Sequence, residues 1–374
     1  MQQRTRLPTT VALVAAPTLI GLLLLAVLRA GPVPTPSRDG STATATAAPP
    51  AFVLSVDTMK ESMDTDAHPL TTDQIAGDVG AMARLNPTYI TVDTFMDYPD
   101  YMQRWVAAVR ATGRRVWFRL HPNAWEGNNG AAPSLTPRGY EEVERRFIAA
   151  HHALFRPDDI LDPCPEPENG RYWRATYGAN WSAVKAATDA YNRFIVDTTA
   201  VADQGLHAAG VAGVVTTVRS VTAWFAARPA ALYPSTTATL GRVTVDSYPE
   251  RNTVDPAAAT RSRLDELATI EATRHVPLII GELGYSVRHL VDDATQERVL
   301  TAEFAVLRGI PYLAGVNYWV GLGNPALDGT RLFNGLPGAW SPRPAARILV
   351  AFFQDEARMR HVHAAPTPPR ALAR

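Results

Sequence analysis

Cysteine and a surplus of one charge are what this sequence most clearly lacks. The 374 residues include one cysteine, Cys164, so no internal disulfide can form and cysteine usage does not identify the compartment. Basic and acidic residues number 36 each. Residues 1–50 hold four arginines and one aspartate, which leaves the rest of the chain slightly acidic. Because the chain has no strongly basic region, we expect no nucleic-acid partner.

Two familiar catalytic motifs are also missing from the sequence. The first predicted strand ends in Ser-Val-Asp at 55–57, without the paired histidines of metal-dependent hydrolase barrels. His151 and His152 are neighbours on a predicted helix, where their rings point about 100° apart. No Gly-x-Ser-x-Gly elbow occurs. We therefore expect no metal, no cofactor and no serine nucleophile, and we interpret Cys164 as a buried thiol.

The longest apolar run, residues 11–28, follows Arg4 and Arg6. As a helix it would be roughly 27 Å long, marginally enough to cross a bilayer, and a cleaved signal peptide has the same layout. Residues 1–30 are therefore either a membrane anchor or a signal peptide. In both cases the positive-inside rule places the remainder outside the cytoplasm, secreted or anchored. Residues 31–50 are rich in Pro, Thr, Ala and Ser, which predicts a disordered linker.

From residue 51 the chain alternates short apolar runs with helical segments. The predicted strands are 52–57, 89–93, 115–120, 159–162, 211–217, 242–246, 277–284 and 313–319. The predicted helices are 71–85, 101–112, 137–155, 182–209, a short one near 223, 256–273, 292–307 and 344–353. This alternation predicts an α/β protein with a (β/α)8 barrel over residues 51–356, and a doubly wound sheet would more often show a glycine-rich loop after its first strand. Residues 357–374 are predicted to be a disordered tail.

Polar side chains end nearly every predicted strand. Catalytic groups of such barrels lie at the carboxyl ends of the strands, so these side chains should converge on one pocket. They are Asp57, Asp93, His121, Glu166 or Glu168, Thr217, Asp246 with Tyr248, Glu282, and Asn317 with Trp319. Glu282 stands out because four apolar residues lead into it and glycines flank it. An ionised carboxylate there is costly unless a partner or a reaction uses it.

Two of these carboxylates carry a resemblance to a known clan. Glu166 after strand four and Glu282 after strand seven resemble the retaining (β/α)8-barrel glycoside hydrolases, the cellulase-, mannanase- and β-glycosidase-like enzymes. In that clan the acid/base glutamate follows strand four and the nucleophile follows strand seven. The resemblance extends from about residue 52 to about residue 353. It also includes His121, Trp125, Asp246, Tyr248 and Trp319. The resemblance implies a carbohydrate substrate. It also implies that Tyr248 lies beside the nucleophile and that the Trp319 ring forms the floor of the sugar-binding site.

One position departs from the pattern of the clan. Pro165 stands where the clan usually has the asparagine that binds a sugar hydroxyl, so Asn169, Asn180 or Asn317 is left to supply that contact. Glu168 is the rival of Glu166 for the acid/base role. The expected substrate-binding residues are Asp57, His121, Trp125, Glu168, Asn169, Asp246, Tyr248, Asn317 and Trp319. Trp173 and Trp181 also fall in predicted loops that could line the cleft.

These patterns together predict a monomeric retaining glycoside hydrolase that acts on an extracellular polysaccharide or oligosaccharide. Two alternatives stay open. A catalytically inactive barrel that binds glycans is suggested by Pro165. An enzyme that remodels the cell's own exopolysaccharide is suggested by the possible anchor.

Overall fold

The computed structural model describes residues 52–63, 69–126, 135–170, 172, 184–214, 219–248, 253–285, 292–323 and 329–363. The predictions for residues 1–50 and 364–374 lie outside these ranges, as do those for Thr217, Trp173, Asn180 and Trp181. Within the described ranges, no helix combines the length and the apolar character needed to cross a bilayer.

Eight parallel strands form one sheet, in the order β4-β3-β2-β1-β8-β7-β6-β5. They are β1 (Val53–Asp57), β2 (Tyr89–Phe95), β3 (Arg115–His121), β4 (Ile160–Asp162), β5 (Ser220–Thr222), β6 (Val243–Asp246), β7 (Leu278–Leu283) and β8 (Leu313–Tyr318). The end strands β4 and β5 meet through other contacts. Asp162 Oδ2 accepts a hydrogen bond from the Ser220 amide at 2.9 Å, and the Glu166 amide donates to the Ser220 carbonyl at 2.9 Å. These bonds bring the sheet round into a nearly closed barrel, which confirms the predicted fold class.

Eleven α-helices lie among the described residues. They are α1 (Met59–Ser62), α2 (Thr72–Ala83), α3 (Pro99–Ala111), α4 (Asn123–Glu126), α5 (Pro137–His151), α6 (Lys185–Ala208), α7 (Ala223–Ala226), α8 (Pro234–Leu240), α9 (Pro256–Arg274), α10 (Asp293–Leu307) and α11 (Pro344–His363). Local sequence sets several of their starts. Thr71 forms a capping box with Gln74, and Thr136 caps α5 just before Pro137.

The fifth strand was predicted in the wrong place. Residues 211–214 of the predicted strand are irregular, and β5 begins at Ser220. Gly213 adopts a left-handed φ of +82°, and its carbonyl accepts a hydrogen bond from the Asp158 amide at 2.9 Å. A left-handed backbone is incompatible with an extended strand, so the described residues 211–214 do not join the sheet.

Two elements near the carboxyl end differ from the prediction. A hairpin of β9 (Phe333–Leu336) and β10 (Ala339–Pro342) precedes the last helix, and α11 continues to His363, well beyond residue 353. The prediction of a disordered tail is therefore wrong for residues 357–363, which are helical. Asp78 on α2 holds the hairpin by accepting hydrogen bonds from the Gly338 amide at 2.6 Å and from Trp340 Nε1 at 2.5 Å.

The barrel interior changes from apolar to polar along the strands. At the end where the strands start, Val53, Tyr89, Trp117, Ile160 and Ile279 form an apolar cluster. Further along the same strands, alternate positions carry polar side chains, because side chains two residues apart share a face. The end of the barrel where the strands finish is therefore polar, and we call it the mouth.

Candidate active site

A single buried arginine, Arg119 of β3, organises the mouth. Its Nη1 lies 2.5 Å from Glu282 Oε1 and 3.4 Å from Asp57 Oδ2. Its Nη2 lies 2.8 Å from Asp246 Oδ2, and its Nε lies 3.9 Å from Asp93 Oδ2. Burial alone would lower the pKa of Arg119, but these four carboxylates together raise it well above its usual value. Arg119 is therefore a permanent positive charge at the centre of the site.

Glu282 lies at the carboxyl end of β7 with 7% of its surface exposed. Its Oε1 contacts Arg119, and its Oε2 accepts a hydrogen bond from the Tyr248 hydroxyl at 2.8 Å. Both oxygens of the Glu282 side chain therefore have a donor. The Tyr248 ring meets Trp319 edge-to-face, with centroids 5.8 Å apart. Tyr248 therefore contacts both Glu282 and Trp319.

The glycines on either side of Glu282 allow this close packing. A Cβ at Gly281 would lie 2.4 Å from Asp246 Oδ1 and 2.8 Å from Ser220 Oγ. A Cβ at Gly284 would lie 2.0 Å from the Trp319 carbonyl oxygen. Any side chain at either position would push β7 away from its neighbours, so these glycines fix where Glu282 lies.

Glu166 occupies a turn between β4 and α6. It has a left-handed backbone, with φ +42° and ψ +58°, which is uncommon for a residue other than glycine. Its amide is bound to Ser220 of β5, and Asn169 Nδ2 donates a hydrogen bond to its Oε2. Unlike Glu168, it keeps part of its surface exposed. Uncommon backbone conformations of this kind often occur at functional sites.

Glu168 has a different environment from its rival. It is 1% exposed, and its carboxylate accepts hydrogen bonds from the Thr222 amide at 2.5 Å, the Thr222 hydroxyl at 2.7 Å and the Tyr191 hydroxyl at 2.9 Å. Burial raises the pKa of Glu168, against the effect of these donors. A side chain with all these bonds and almost no exposed surface is unsuited to proton transfer with a ligand at the mouth.

Three predicted sugar contacts lie beneath the mouth. Asp57 and Asn317 are fully buried, and Asn317 Nδ2 donates to Asp57 Oδ2 and to the Gly281 carbonyl, both at 2.8 Å. His121 is nearly covered and lies edge-on to Phe95 at 5.1 Å. The described structure therefore gives these residues a supporting position under the site, without surface for a sugar.

Trp125 lies in the protein core, contrary to the expected sugar contact. It is 0% exposed and stacks on Phe194 with centroids 4.8 Å apart. A Cβ at Gly170 would lie 2.3 Å from its indole ring. The sequence could not distinguish a loop tryptophan that lines a cleft from one that packs inward, because both follow a strand end.

Burial dominates the electrostatics around Arg119. It raises the pKa of Asp57 to about 6, against the opposing charge of Arg119. It also raises the pKa of Asp246; Arg119 opposes this, Glu282 and Glu166 add to it, and the pKa lies well above its usual value. Asp246 therefore keeps its proton more readily than an exposed aspartate.

Metal-binding clusters and the cysteine thiol are the other candidate sites of chemistry in the described part of the chain. No group of three or more His, Cys, Asp or Glu residues there is arranged to hold a metal ion. Cys164 is buried, as predicted, and burial raises the pKa of its thiol well above the usual value. Since the thiolate is the reactive form, Cys164 is a poor nucleophile in this position.

Sequence reasoning missed Arg119, although a signal was present. Arg119 interrupts an apolar strand two positions before His121, so both side chains belong to the same face. A charged residue inside a buried strand needs an oppositely charged or hydrogen-bonding partner, for the same reason as Glu282. The partners themselves are distant in sequence and could not be read from it.

Comparison with solved structures defines the class of the fold. A GH5_18 from Bifidobacterium longum subsp. infantis superimposes with a TM-score of 0.60 at 14% identity, over 82% of this chain and 79% of that one. A β-D-glucuronidase of Dictyoglomus thermophilum gives 0.54 at 13% identity, over 82% and 51%. A Ruminococcus gnavus β-glucuronidase in complex with uronic deoxynojirimycin gives 0.56 at 13% identity, over 81% and 50%.

The chain therefore has the fold of (β/α)8-barrel glycoside hydrolases, as the resemblance implied. It spans about half the length of the two glucuronidases. No protein-family model matches the sequence, and no curated protein matches it either. At identities this low the likeness concerns the fold, and the activity has to be argued from the site.

Proposed function

We propose that this protein is a retaining glycoside hydrolase, with Glu282 as nucleophile and Glu166 as acid/base. The observation that carries the proposal is the setting of Glu282. It is a strand-end carboxylate at a polar mouth, bound to Arg119 and Tyr248 beside the aromatic ring of Trp319. A second carboxylate, Glu166 in the turn after β4, is partly exposed and, like Glu282, adds to the raised pKa of Asp246. Paired carboxylates are what glycoside hydrolysis requires.

The proposed reaction has two displacements. Glu282 attacks the anomeric carbon and forms a glycosyl ester, while Glu166 gives its proton to the departing glycosidic oxygen. Glu166, now ionised, then takes a proton from water, and the resulting hydroxide attacks the anomeric carbon and releases Glu282. Two inversions at one carbon retain its configuration. Arg119 and Tyr248 hold the Glu282 side chain in place for the first step by donating to its two oxygens.

The proposed substrate is a polysaccharide or oligosaccharide outside the cytoplasm, met by a secreted or membrane-anchored monomer. The apolar run at residues 11–28 supports this location. An enzyme anchored in this way would be placed to remodel the cell's own exopolysaccharide.

Azide rescue tests the two roles. Glu282→Ala should abolish turnover of an activated aryl glycoside, and azide should restore it as a glycosyl azide of inverted configuration. Glu166→Ala should spare the first step for good leaving groups, and azide should then give the retained product. NMR of the first-formed wild-type product should show retention.

Two results would decide against this assignment. Near-normal activity of Glu282→Ala would show that Glu282 is not the nucleophile. A first product of inverted configuration would show that the reaction is not a double displacement. A barrel that binds glycans in a polysaccharide panel but hydrolyses none of them would favour the inactive glycan-binding alternative.

A further inference from the structure

The turn after Glu166 is fastened to the barrel on both sides. Arg219 Nη1 donates to the Cys164 carbonyl at 3.2 Å, and the Glu166 amide donates to the Ser220 carbonyl. Beyond Glu166 the chain makes one 3₁₀ turn, Pro167–Asn169, in which the buried Glu168 carboxylate binds Thr222 and Tyr191. Strand β5 and helix α6 thus fix the turn independently of any ligand.

Asn169 connects this fixed turn to the carboxylate of Glu166. Its amide nitrogen in the main chain donates to the Glu166 carbonyl at 2.8 Å, and its side-chain Nδ2 donates to Glu166 Oε2. An ionised carboxylate can only accept hydrogen bonds, so the nitrogen end of the Asn169 amide is the end that suits it. Asn169 is therefore tied to Glu166 through both backbone and side chain.

We propose that Asn169 is a positioning residue for the acid/base, because its side-chain amide donates a hydrogen bond to Oε2 of Glu166. This inference rests on the proposed function. As the proton passes to the leaving oxygen, negative charge develops on Glu166, and a fixed amide donor stabilises that charge. The same contact holds the ionised carboxylate in place until it takes a proton from water in the second step.

Two variants remove the donor in different ways. Asn169→Ala deletes the amide, and Asn169→Asp keeps the shape while replacing the donor by a second carboxylate. Asn334→Ala is the matched control, because Asn334 is an exposed asparagine on the β9–β10 hairpin.

Leaving-group dependence gives the first readout. We expect Asn169→Ala to slow kcat for a poor leaving group by about tenfold or more, since it removes a hydrogen bond to a charged group. Substrates with good leaving groups need less acid assistance and should be affected less. The alkaline limb of the kcat/KM profile should move upward by about one pH unit, and further for Asn169→Asp. The proposal would be overturned if kcat fell equally for all leaving groups and the alkaline limb of the kcat/KM profile stayed at the wild-type pH.

A measurement that needs no substrate can test the role of Asn169 separately from the proposed function. The side-chain carboxyl carbon of Glu166 can be titrated by carbon-13 NMR, with its signal identified by its loss in Glu166→Gln. Its titration midpoint should rise by about one unit in Asn169→Ala and by more in Asn169→Asp, with no change in Asn334→Ala. An unchanged midpoint would overturn the proposal, even in an active enzyme. Failure of the wild type to hydrolyse any glycoside would instead count against the proposed function.

Discussion

Arg119 is the residue on which the charges of the mouth depend. One guanidinium lies among Asp57, Asp93, Asp246 and Glu282, all of them almost fully buried. Four ionised carboxylates around one cation would leave a large uncompensated charge among buried side chains. The raised pKa values of Asp57 and Asp246 show how part of this charge is relieved, because a protonated aspartate is neutral.

Replacing Arg119 should destabilise the barrel as well as the site. We expect Arg119→Met to lower the free energy of unfolding by about 3–5 kcal/mol at pH 7, because four buried carboxylates lose the cation that they share. Urea unfolding measures the effect. Arg193→Met, which removes an exposed arginine from α6, should stay within about 0.5 kcal/mol of the wild type. Equal stabilities of the two variants would contradict this account of Arg119.

The β9–β10 hairpin depends on a buried carboxylate of helix α2. Asp78 Oδ1 accepts both hydrogen bonds from the hairpin, and Asp78 Oδ2 is buried without a hydrogen-bond partner among the described residues. Gly77 and Gly338 pack so closely that a Cβ on Gly77 would lie 2.6 Å from the Gly338 Cα. Burial raises the pKa of Asp78 to about 6, although both donors oppose the shift.

This raised pKa predicts a stability difference that depends on pH. The folded protein binds the Asp78 proton more tightly than the unfolded chain, so the stabilisation is complete below about pH 4 and is lost as pH rises through 6. Asp78→Asn keeps the Oδ1 acceptor and cannot ionise. It should therefore gain about 2–3 kcal/mol relative to the wild type between pH 4 and pH 7.5. Urea unfolding of both proteins at the two pH values checks this, and a difference independent of pH would refute it.

The interior of the barrel is apolar at the end where the strands start and polar at the mouth. The described core lies between the strands and the surrounding helices, and it begins at Phe52. Residues 31–50 have the composition of a linker, and the apolar run at 11–28 has no polar face to suit a water-soluble core.

The N-terminal 50 residues should therefore be dispensable for folding. A protein that begins at Ala51 should be soluble and should melt at the same temperature as the full-length chain in detergent. Circular dichroism at matched detergent concentration provides the comparison. A lower melting temperature or aggregation of the shortened protein alone would show that the N-terminal residues contribute to the fold.

The order of the elements was determined by the sequence alone, because hydrophobic periodicity is local. Seven of the eight strands and most helices were predicted within a few residues of their observed bounds, and parallel strands necessarily bring their polar ends to one mouth. The exception was β5, a three-residue strand whose position depends on its contacts with Asp162 and Glu166.

Only the tertiary structure decided which of the candidate residues share the site. It placed Glu168 and Trp125 in buried packing, gave Asp57 and Asn317 a supporting position, and brought Arg119 to Glu282, a residue 163 positions away. Residue type and spacing give no information about distances across a barrel, because these depend on how eight strands tilt and close. Burial and charge partners, and hence the protonation of the carboxylates, follow from those distances.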